Sequence, residues 1–247
     1  MSKYHVYGLG AALVDTEIDV ADDDLAQLGV DKGLMTLVDR NRQTAILASL
    51  EGHLVHAKQA SGGSAANSII AASYFGAKTF YSCKVADDAL GEFYMNDLKA
   101  AGVDADYLNK SSEGVTGTCL VMITPDAERS MNTFLGVSET LSVDEVDPEA
   151  IAQSDWVYLE GYLVTSPTGH AAALKTRELA NSAGVKVAVS FSDPGMVEFF
   201  RGNMEQMVEG GVDLVFCNEA EALKWGNTDD LESAIAAIKQ VARQFVI

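Results

Sequence analysis

The second half of the chain alternates nearly continuous apolar runs with segments of helical spacing. The runs "SDWVYLEGYL", "VKVAVSFSD" and "VDLVFC" have the length of strands. Helices are predicted between and after them, over "TGHAAALKTRELANSAG", "GMVEFFRGNMEQMVEG" and "DLESAIAAIKQVARQF". A strand that is apolar on both sides must be covered on both sides, which is typical of parallel sheets. The pattern therefore predicts the α/β class, with a doubly wound, mainly parallel sheet and helices on both faces.

Two excursions interrupt this alternation. Residues 16–60 and 115–136 are richer in strands than in helices. The first contains the predicted strands "GLMTLVD" and "HLVHAKQA", and a Pro-Asp turn joins two strands in the second. We expect a small second sheet that lies beside the strand ends, where α/β proteins bind ligands, and acts as a lid. The predicted core then consists of residues 1–15, 61–114 and 137–247.

The chain is strongly acidic, which disfavours nucleic acid as a partner. Lys and Arg number 17 against 36 Asp and Glu, which gives a net charge of −19. Nucleic acid would be repelled, and no basic stripe compensates. We find no apolar run of membrane-spanning length and expect no secretory signal at the first residues. The three cysteines are far apart and form no C-x-x-C motif, which predicts a reducing, cytoplasmic location.

The stretch "GGSAANSIIAASYFG" begins a predicted helix over residues 64–75 with very little side-chain bulk. Gly62 and Gly63 would let backbone approach a ligand, and Ser64 would cap the helix. Asn67 lies on the first turn, where its amide both donates and accepts hydrogen bonds. The alternative is a glycine-rich turn whose small residues pack on a neighbouring element. The pattern favours a polar ligand at a helix N-terminus.

A second candidate lies in "GLGAALVD". Leu13 occupies the third glycine position of a dinucleotide-binding fingerprint, so the motif disfavours an oxidoreductase of that kind. We place Asp15 at the end of a main-sheet strand, where its carboxylate could accept hydrogen bonds from two vicinal hydroxyls of a sugar. A carboxylate that stabilises the turn is the alternative.

Two further sites concern phosphate and metal. Asn218 and Glu221 are three residues apart at a predicted helix start, so they face the same way and could hold a water-shelled Mg²⁺. An N-cap with acidic residues at the helix dipole explains them equally well. Arg129, beyond the turn of the excursion hairpin, could clamp a phosphate or be a solvated surface charge.

Taken in this order, these segments resemble the ribokinase/PfkB carbohydrate kinase family, and its adenosine-kinase branch in particular. The resemblance rests on "GLGAALVD", "GGSAANS", "VADDALGEF", "TGTCLVMITPDAERSMNTFLG", "SDP" and "NEAE", and it extends over essentially the whole chain. It implies a ribokinase-like fold and an ATP- and Mg²⁺-dependent phosphotransferase acting on an alcohol group of an adenosine-like nucleoside or a sugar. Lid strands in this family can pair between subunits, so a homodimer is a further expectation.

The resemblance also implies roles for the candidate residues. Asp15 would hold the sugar hydroxyls, and the glycine–asparagine segment would bind the same sugar. Tyr162 matches the position where adenosine kinases place an aromatic residue against the purine. Arg129 would meet the transferring phosphate. Asn218 and Glu221 would organise phosphate and Mg²⁺, with Glu221 acting on the metal indirectly.

The chain departs from the family pattern at two points. Adenosine kinases often carry Asn where this chain has Ala11. The Gly-Ala-Gly-Asp turn that holds the family's catalytic base does not occur in the chain, so we expect that base beyond Ile247 and no catalytic residue before it. Alternatives are a ribose, fructose or keto-deoxy sugar kinase and, from another class, a non-catalytic nucleoside- or sugar-binding protein.

Overall fold

The computed structural model describes residues 2–50, 52, 58–106, 111 and 113–247. Its strands are, in chain order, β1 (Tyr4–Leu9), β2 (Leu13–Asp19), β3 (Met35–Leu37), β4 (Lys58–Gly62), β5 (Thr79–Ser82), β6 (Val103–Asp104), β7 (Gly117–Ile123), β8 (Arg129–Phe134), β9 (Ser154–Leu159), β10 (Lys186–Ser190), β11 (Val212–Phe216) and β12 (Ala242–Val246).

The helices follow the strands as the apolar spacing requires. They are α1 (Asp22–Leu28), α2 (Arg40–Ser49), α3 (Ser64–Tyr74), α4 (Ala89–Ala100), α5 (Pro148–Ala152), α6 (Pro167–Ala183), α7 (Pro194–Phe199), α8 (Arg201–Val208), α9 (Glu219–Gly226) and α10 (Leu231–Ile238). Short 3₁₀ helices span Gly136–Thr140, Val143–Glu145 and Gly161–Thr165. None of the helices in the described ranges is both long and apolar enough to cross a membrane.

The main sheet has seven strands in the order β12-β11-β10-β9-β1-β5-β6, and every neighbouring pair is parallel. Leu9, Val157 and Val189 project to one face, into a large apolar core shared with helices α5 to α10. The alternating side chains project to the other face, where α3 and α4 cover β1 and β5 through residues such as Ile69 and Tyr81. The predicted doubly wound α/β sheet with helices on both faces is confirmed.

The predicted second sheet is also present. It has five strands in the order β3-β8-β7-β2-β4, with β2 parallel to β7 and antiparallel to β4. Helices α1 and α2 cover one face through an apolar cluster that includes Leu25 and Ile46. The sheet begins at Leu13, three residues earlier than the predicted lid boundary at residue 16. We keep the lid function of this sheet as a prediction.

The position of Asp15 corrects the sequence prediction. Asp15 lies inside β2 of the second sheet, paired with Ala60 and Cys119, and not at the end of a main-sheet strand. The chain leaves the main sheet at Leu9 and turns at Gly10, where a Cβ atom would lie 2.6 Å from the Glu160 carboxyl carbon. The sequence predicted one strand in place of β1 and β2 because only three residues separate them.

Two predicted helices also have different bounds. The helix predicted over "GMVEFFRGNMEQMVEG" is interrupted at Phe200, which separates α7 from α8. The last predicted helix ends at Ile238, because Ala242–Val246 pairs with β11 as an edge strand of the main sheet. Most of the strand predicted in "HLVHAKQA", together with His53 and His56, lies outside the described residues.

Asp88 joins the start of α4 to the segment that enters the second sheet. Its carboxylate accepts hydrogen bonds from Gly91 N at 2.7 Å, from Thr116 N at 2.8 Å and from Thr116 Oγ1 at 2.7 Å. Burial alone would raise the pKa of Asp88, but the hydrogen bonds from Thr116 and Gly91 lower it. The carboxylate therefore stabilises the fold above its unfolded pKa, and that contribution is lost as the pH falls.

We predict that Asp88→Ala lowers the free energy of unfolding by about 1–3 kcal/mol at pH 7, since a helix cap and the contact with the segment before β7 are lost together. Urea unfolding monitored by circular dichroism measures the change. Asp87→Ala, at the exposed neighbouring position, is the matched control and should change stability by less than about 0.5 kcal/mol. Equal losses in the two variants would contradict the assigned role.

Candidate active site

A cavity of about 220 Å³ lies between the two sheets, at the N-terminal end of α3. The main sheet contributes the segments that follow β1 and β9, and the second sheet contributes β2, β3, β7 and β8. Six of the residues singled out in the sequence line it: Asp15, Gly63, Ser64, Asn67, Arg129 and Tyr162. Residues that are up to 147 positions apart in the chain thus meet around one space, as parallel strand ends allow.

The base of this cavity is organised by Glu160, which sequence reasoning missed. Glu160 directly follows β9 and is 1% exposed. One carboxylate oxygen accepts a hydrogen bond from Ala11 N at 2.7 Å, and the other accepts from Ser64 Oγ and Ala65 N, both at 2.8 Å. Burial raises the pKa of Glu160, partly opposed by these three donors. A charged residue directly after an apolar strand, in "WVYLEG", was the available signal.

The helix start at residues 63–65 differs from the prediction in one respect. Ser64 does not cap α3, because its hydroxyl donates to Glu160. Gly63 takes the N-cap position with φ of 104°, a conformation that favours glycine. A Cβ atom at Gly63 would lie 2.3 Å from the Ala11 carbonyl oxygen, so the close approach here is made to the protein's own backbone.

Gly62 ends β4 and lies against Asp15. A Cβ atom at Gly62 would lie within 2.3 Å of all three carboxyl atoms of Asp15. The missing side chain at Gly62 therefore leaves room for the Asp15 carboxyl group. Gly62 itself does not line the cavity.

Asp15 is a half-buried carboxylate to which no hydrogen bond is donated from within the described part of the chain. Burial raises the pKa of Asp15 to about 6, although the nearby Arg129 charge lowers it. A carboxylate in this environment has unused acceptor capacity and faces a cavity. Such a group suits a ligand that donates hydrogen bonds, as a vicinal diol does.

The walls of the cavity are mostly apolar on the side of the second sheet. Met35, Leu37 and Met131 lie there, and the 3₁₀ helix after Glu160 contributes Tyr162. The Tyr162 hydroxyl is within 3.5 Å of the Ser192 carbonyl oxygen, and burial raises the pKa of Tyr162. An aromatic ring among apolar side chains can hold a flat ring system by stacking.

Asn218 and Glu221 lie elsewhere and do not line the cavity. They form a reciprocal capping box at the start of α9: Glu221 N donates to Asn218 Oδ1 at 2.8 Å, and Asn218 N donates to Glu221 Oε2 at 3.1 Å. The Glu221 carboxylate keeps one oxygen outside this box, which suits a water-mediated role toward a metal ion. Among the residues that the structure describes, no group of three or more His, Cys, Asp or Glu could hold a metal directly.

The chain is similar to proteins of known family. A family model described as pfkB family carbohydrate kinase matches residues 33–247. The solved structure of adenosine kinase from Sinorhizobium meliloti superimposes with a TM-score of 0.90 at 33% identity, covering 98% of this chain and 73% of that one.

Curated relatives agree with this assignment. The "ATP-dependent ribose-1-phosphate kinase" of Halopiger xanaduensis is 32% identical over 66% of this chain and 52% of its own length. A "Ribokinase" of Staphylococcus aureus is 24% identical over 69% of this chain and 54% of its own length. The chain spans about half the length of these curated relatives.

We predict that Asp15→Asn raises the melting temperature at pH 7.5 and leaves it unchanged at pH 4. The folded pKa of about 6 lies above the usual value of 3.8, so the folded state binds the proton more tightly than the unfolded state. Stability then falls as the pH rises from about 4 to 6, and Asn removes that loss. Differential scanning calorimetry across this range measures the effect. A variant less stable than the parent at pH 7.5 would show Asp15 to be a structural residue.

We predict that Glu160→Gln lowers the free energy of unfolding by about 2–3 kcal/mol. Hydrogen bonds are donated to both carboxylate oxygens of Glu160, by Ala11 N and by Ala65 N. The NH₂ group of a glutamine would replace one of these acceptors with a donor and leave a backbone N–H unpaired. Glu178→Gln on the exposed side of α6 is the control, and it should lose at most about 0.5 kcal/mol. Chemical denaturation measures both variants, and a parent-like Glu160→Gln would refute the proposed constraint.

Proposed function

The chain belongs to the pfkB family of carbohydrate kinases, and from this membership we propose that it transfers a phosphoryl group from ATP to an alcohol group of an adenosine-like nucleoside or a sugar. The observation that carries the proposal is the Asp15 carboxylate. It is half-buried, accepts no hydrogen bond from the described residues and faces a cavity that also contains Asn67. Two neighbouring hydroxyls of a ribose would satisfy the carboxylate and the amide together.

A nucleoside is the proposed substrate class. Tyr162, Leu13 and Leu135 offer an apolar surface for a flat base, which a free sugar would leave unfilled. The similarity to an adenosine kinase over nearly the whole chain supports this choice. The curated ribose-1-phosphate kinase and ribokinase relatives support the alternative, a ribose, fructose or keto-deoxy sugar.

The chemistry assigns distinct tasks to the residues of the chain. Asp15 and Asn67 would bind the diol and orient the alcohol that is phosphorylated, and Arg129 would neutralise charge on the transferring phosphate. Asn218 and Glu221 would hold phosphate and, through water, the Mg²⁺ that accompanies ATP. Mg²⁺ bound with ATP would supply charge neutralisation of the phosphates. The chemistry also needs a carboxylate that accepts the hydroxyl proton, and none of these residues is assigned that task.

Two expectations from the sequence remain part of the proposal. All three cysteines are free thiols, as in proteins of a reducing compartment, and we propose a cytoplasmic location. The strands β3 and β4 form the edges of the second sheet, so pairing between copies through this sheet stays a prediction.

We predict that adenosine binds more tightly than ribose or fructose and that Asp15→Ala weakens adenosine binding about ten- to hundredfold. One charge-assisted hydrogen bond to the carboxylate has this worth. Isothermal titration calorimetry measures the affinities, and Asp23→Ala on the exposed face of α1 is the control, expected to bind like the parent. Adenosine affinity that does not change in Asp15→Ala would contradict the site.

The same preparations test the reaction. Formation of ADP from ATP in the presence of Mg²⁺ and adenosine, ribose or fructose is the measurement. Turnover with a nucleoside or a sugar supports the transferase proposal and identifies its acceptor. Tight binding of a nucleoside without ADP formation would favour a non-catalytic binding protein instead.

A further inference from the structure

The cavity contains another acidic residue, Glu139, which the proposed binding of a diol does not use. Glu139 lies on the 3₁₀ helix Gly136–Thr140, is exposed and lines the cavity. Within the described ranges it takes part in no ion pair. A carboxylate at a ligand cavity with free acceptor capacity calls for a donor on the ligand.

The position of Glu139 is fixed by its neighbours in the chain. Ser138 Oγ donates to Ala12 O at 2.8 Å and accepts from Ala12 N at 3.1 Å, which ties the 3₁₀ helix to the turn between β1 and β2. Gly136 has a positive φ of 53°, and a Cβ atom there would lie 2.3 Å from the Val115 carbonyl oxygen. The segment is therefore held from both sides and cannot swing freely away from the cavity.

The strand register orders the cavity from Glu139, past Asp15, to Arg129. Glu139 adjoins the end near Leu13 and Leu135, where β2 begins and β8 has just ended. Asp15 lies two residues beyond Leu13 along β2, which separates their Cα atoms by roughly 7 Å at the rise of an extended strand. Thr133 is in register with Asp15 by way of Cys119, and Arg129 lies four residues from Thr133 on the side away from Leu135. The charge of Arg129 still reaches the Asp15 carboxylate and lowers its pKa.

A neutral donor accompanies Glu139 at its end. Ser166 caps α6 by accepting a hydrogen bond from Gly169 N at 3.0 Å, so its own hydroxyl hydrogen is available to a ligand. Both residues line the cavity, and α6 contacts the 3₁₀ helix that carries Glu139. This end therefore offers a charged acceptor and a neutral donor on two elements in contact.

We propose that Glu139 determines base specificity by accepting a hydrogen bond from an exocyclic amino group, while Ser166 donates to the adjacent ring nitrogen. This inference rests on the proposed function, since it requires a nucleoside whose ribose is held by Asp15. The ligand class is a heteroaromatic base with an amino group beside an unprotonated ring nitrogen, as in adenine. A base that presents a carbonyl oxygen at this edge would be repelled by the carboxylate.

The charges of the cavity give the ligand one orientation. The chain carries a net charge of −19, and among the described residues that line the cavity only Arg129 carries a positive charge. An incoming phosphate would therefore approach the end with Arg129, and the base would lie at the end with Glu139. The substrate alcohol is then directed to the end where its product is anionic.

Binding of adenosine and of purine riboside, which lacks only the amino group, tests the proposal. Calorimetry on the parent should show adenosine binding about tenfold tighter. Glu139→Ala should remove this preference by weakening adenosine alone, and Glu139→Gln, which keeps a neutral acceptor, should give an intermediate ratio. Asp144→Ala, at an exposed position on the next 3₁₀ helix, should behave like the parent.

The outcomes separate this inference from the function it rests on. Nucleosides that bind with a preference unchanged in Glu139→Ala would overturn the role of Glu139 and leave the nucleoside kinase proposal standing. Equal affinities of the parent for adenosine and purine riboside would do the same. If the parent bound neither nucleoside but bound ribose or fructose, the nucleoside proposal and the role of Glu139 would both be wrong.

Discussion

The buried carboxylate of Glu160 is the contact on which the geometry of the cavity depends. It accepts hydrogen bonds from the turn after β1, through Ala11, and from the first turn of α3, through Ser64 and Ala65. A carboxylate removed from water is stable only when such donors replace its hydration. Glu160 therefore holds three chain segments in one arrangement, and the cavity lies above them.

Two carboxylates near this cavity have opposite environments. Glu160 is fully satisfied by the protein, whereas Asp15 has no donor among the described residues, and burial raises the pKa of Asp15 to about 6. The first environment fixes structure. The second leaves a group whose charged form the protein alone does not stabilise, which is characteristic of a residue that meets its partner in a ligand.

The sequence was sufficient to predict the architecture and most of the residues that line the cavity. Apolar runs of strand length between helical segments determine a parallel sheet, and the Pro-Asp hairpin indicates a second sheet. It was insufficient for Asp15, because the sharp turn at Gly10 depends on the packing of Glu160 and Ala65 against it. The role of Ser64 was predicted wrongly and that of Glu160 was missed for the same reason. Which donor meets which acceptor is decided by elements that are far apart in the chain.

The two sheets contribute different kinds of group to the one cavity between them. The main sheet supplies rigid backbone and the satisfied carboxylate, while β2 and β8 add Asp15 and Arg129, and the 3₁₀ helix after β8 adds Glu139. Because only three residues separate β1 from β2, the two sheets cannot move far apart at this point. Asp15 is thereby kept close to Gly62 and to the N-terminal end of α3.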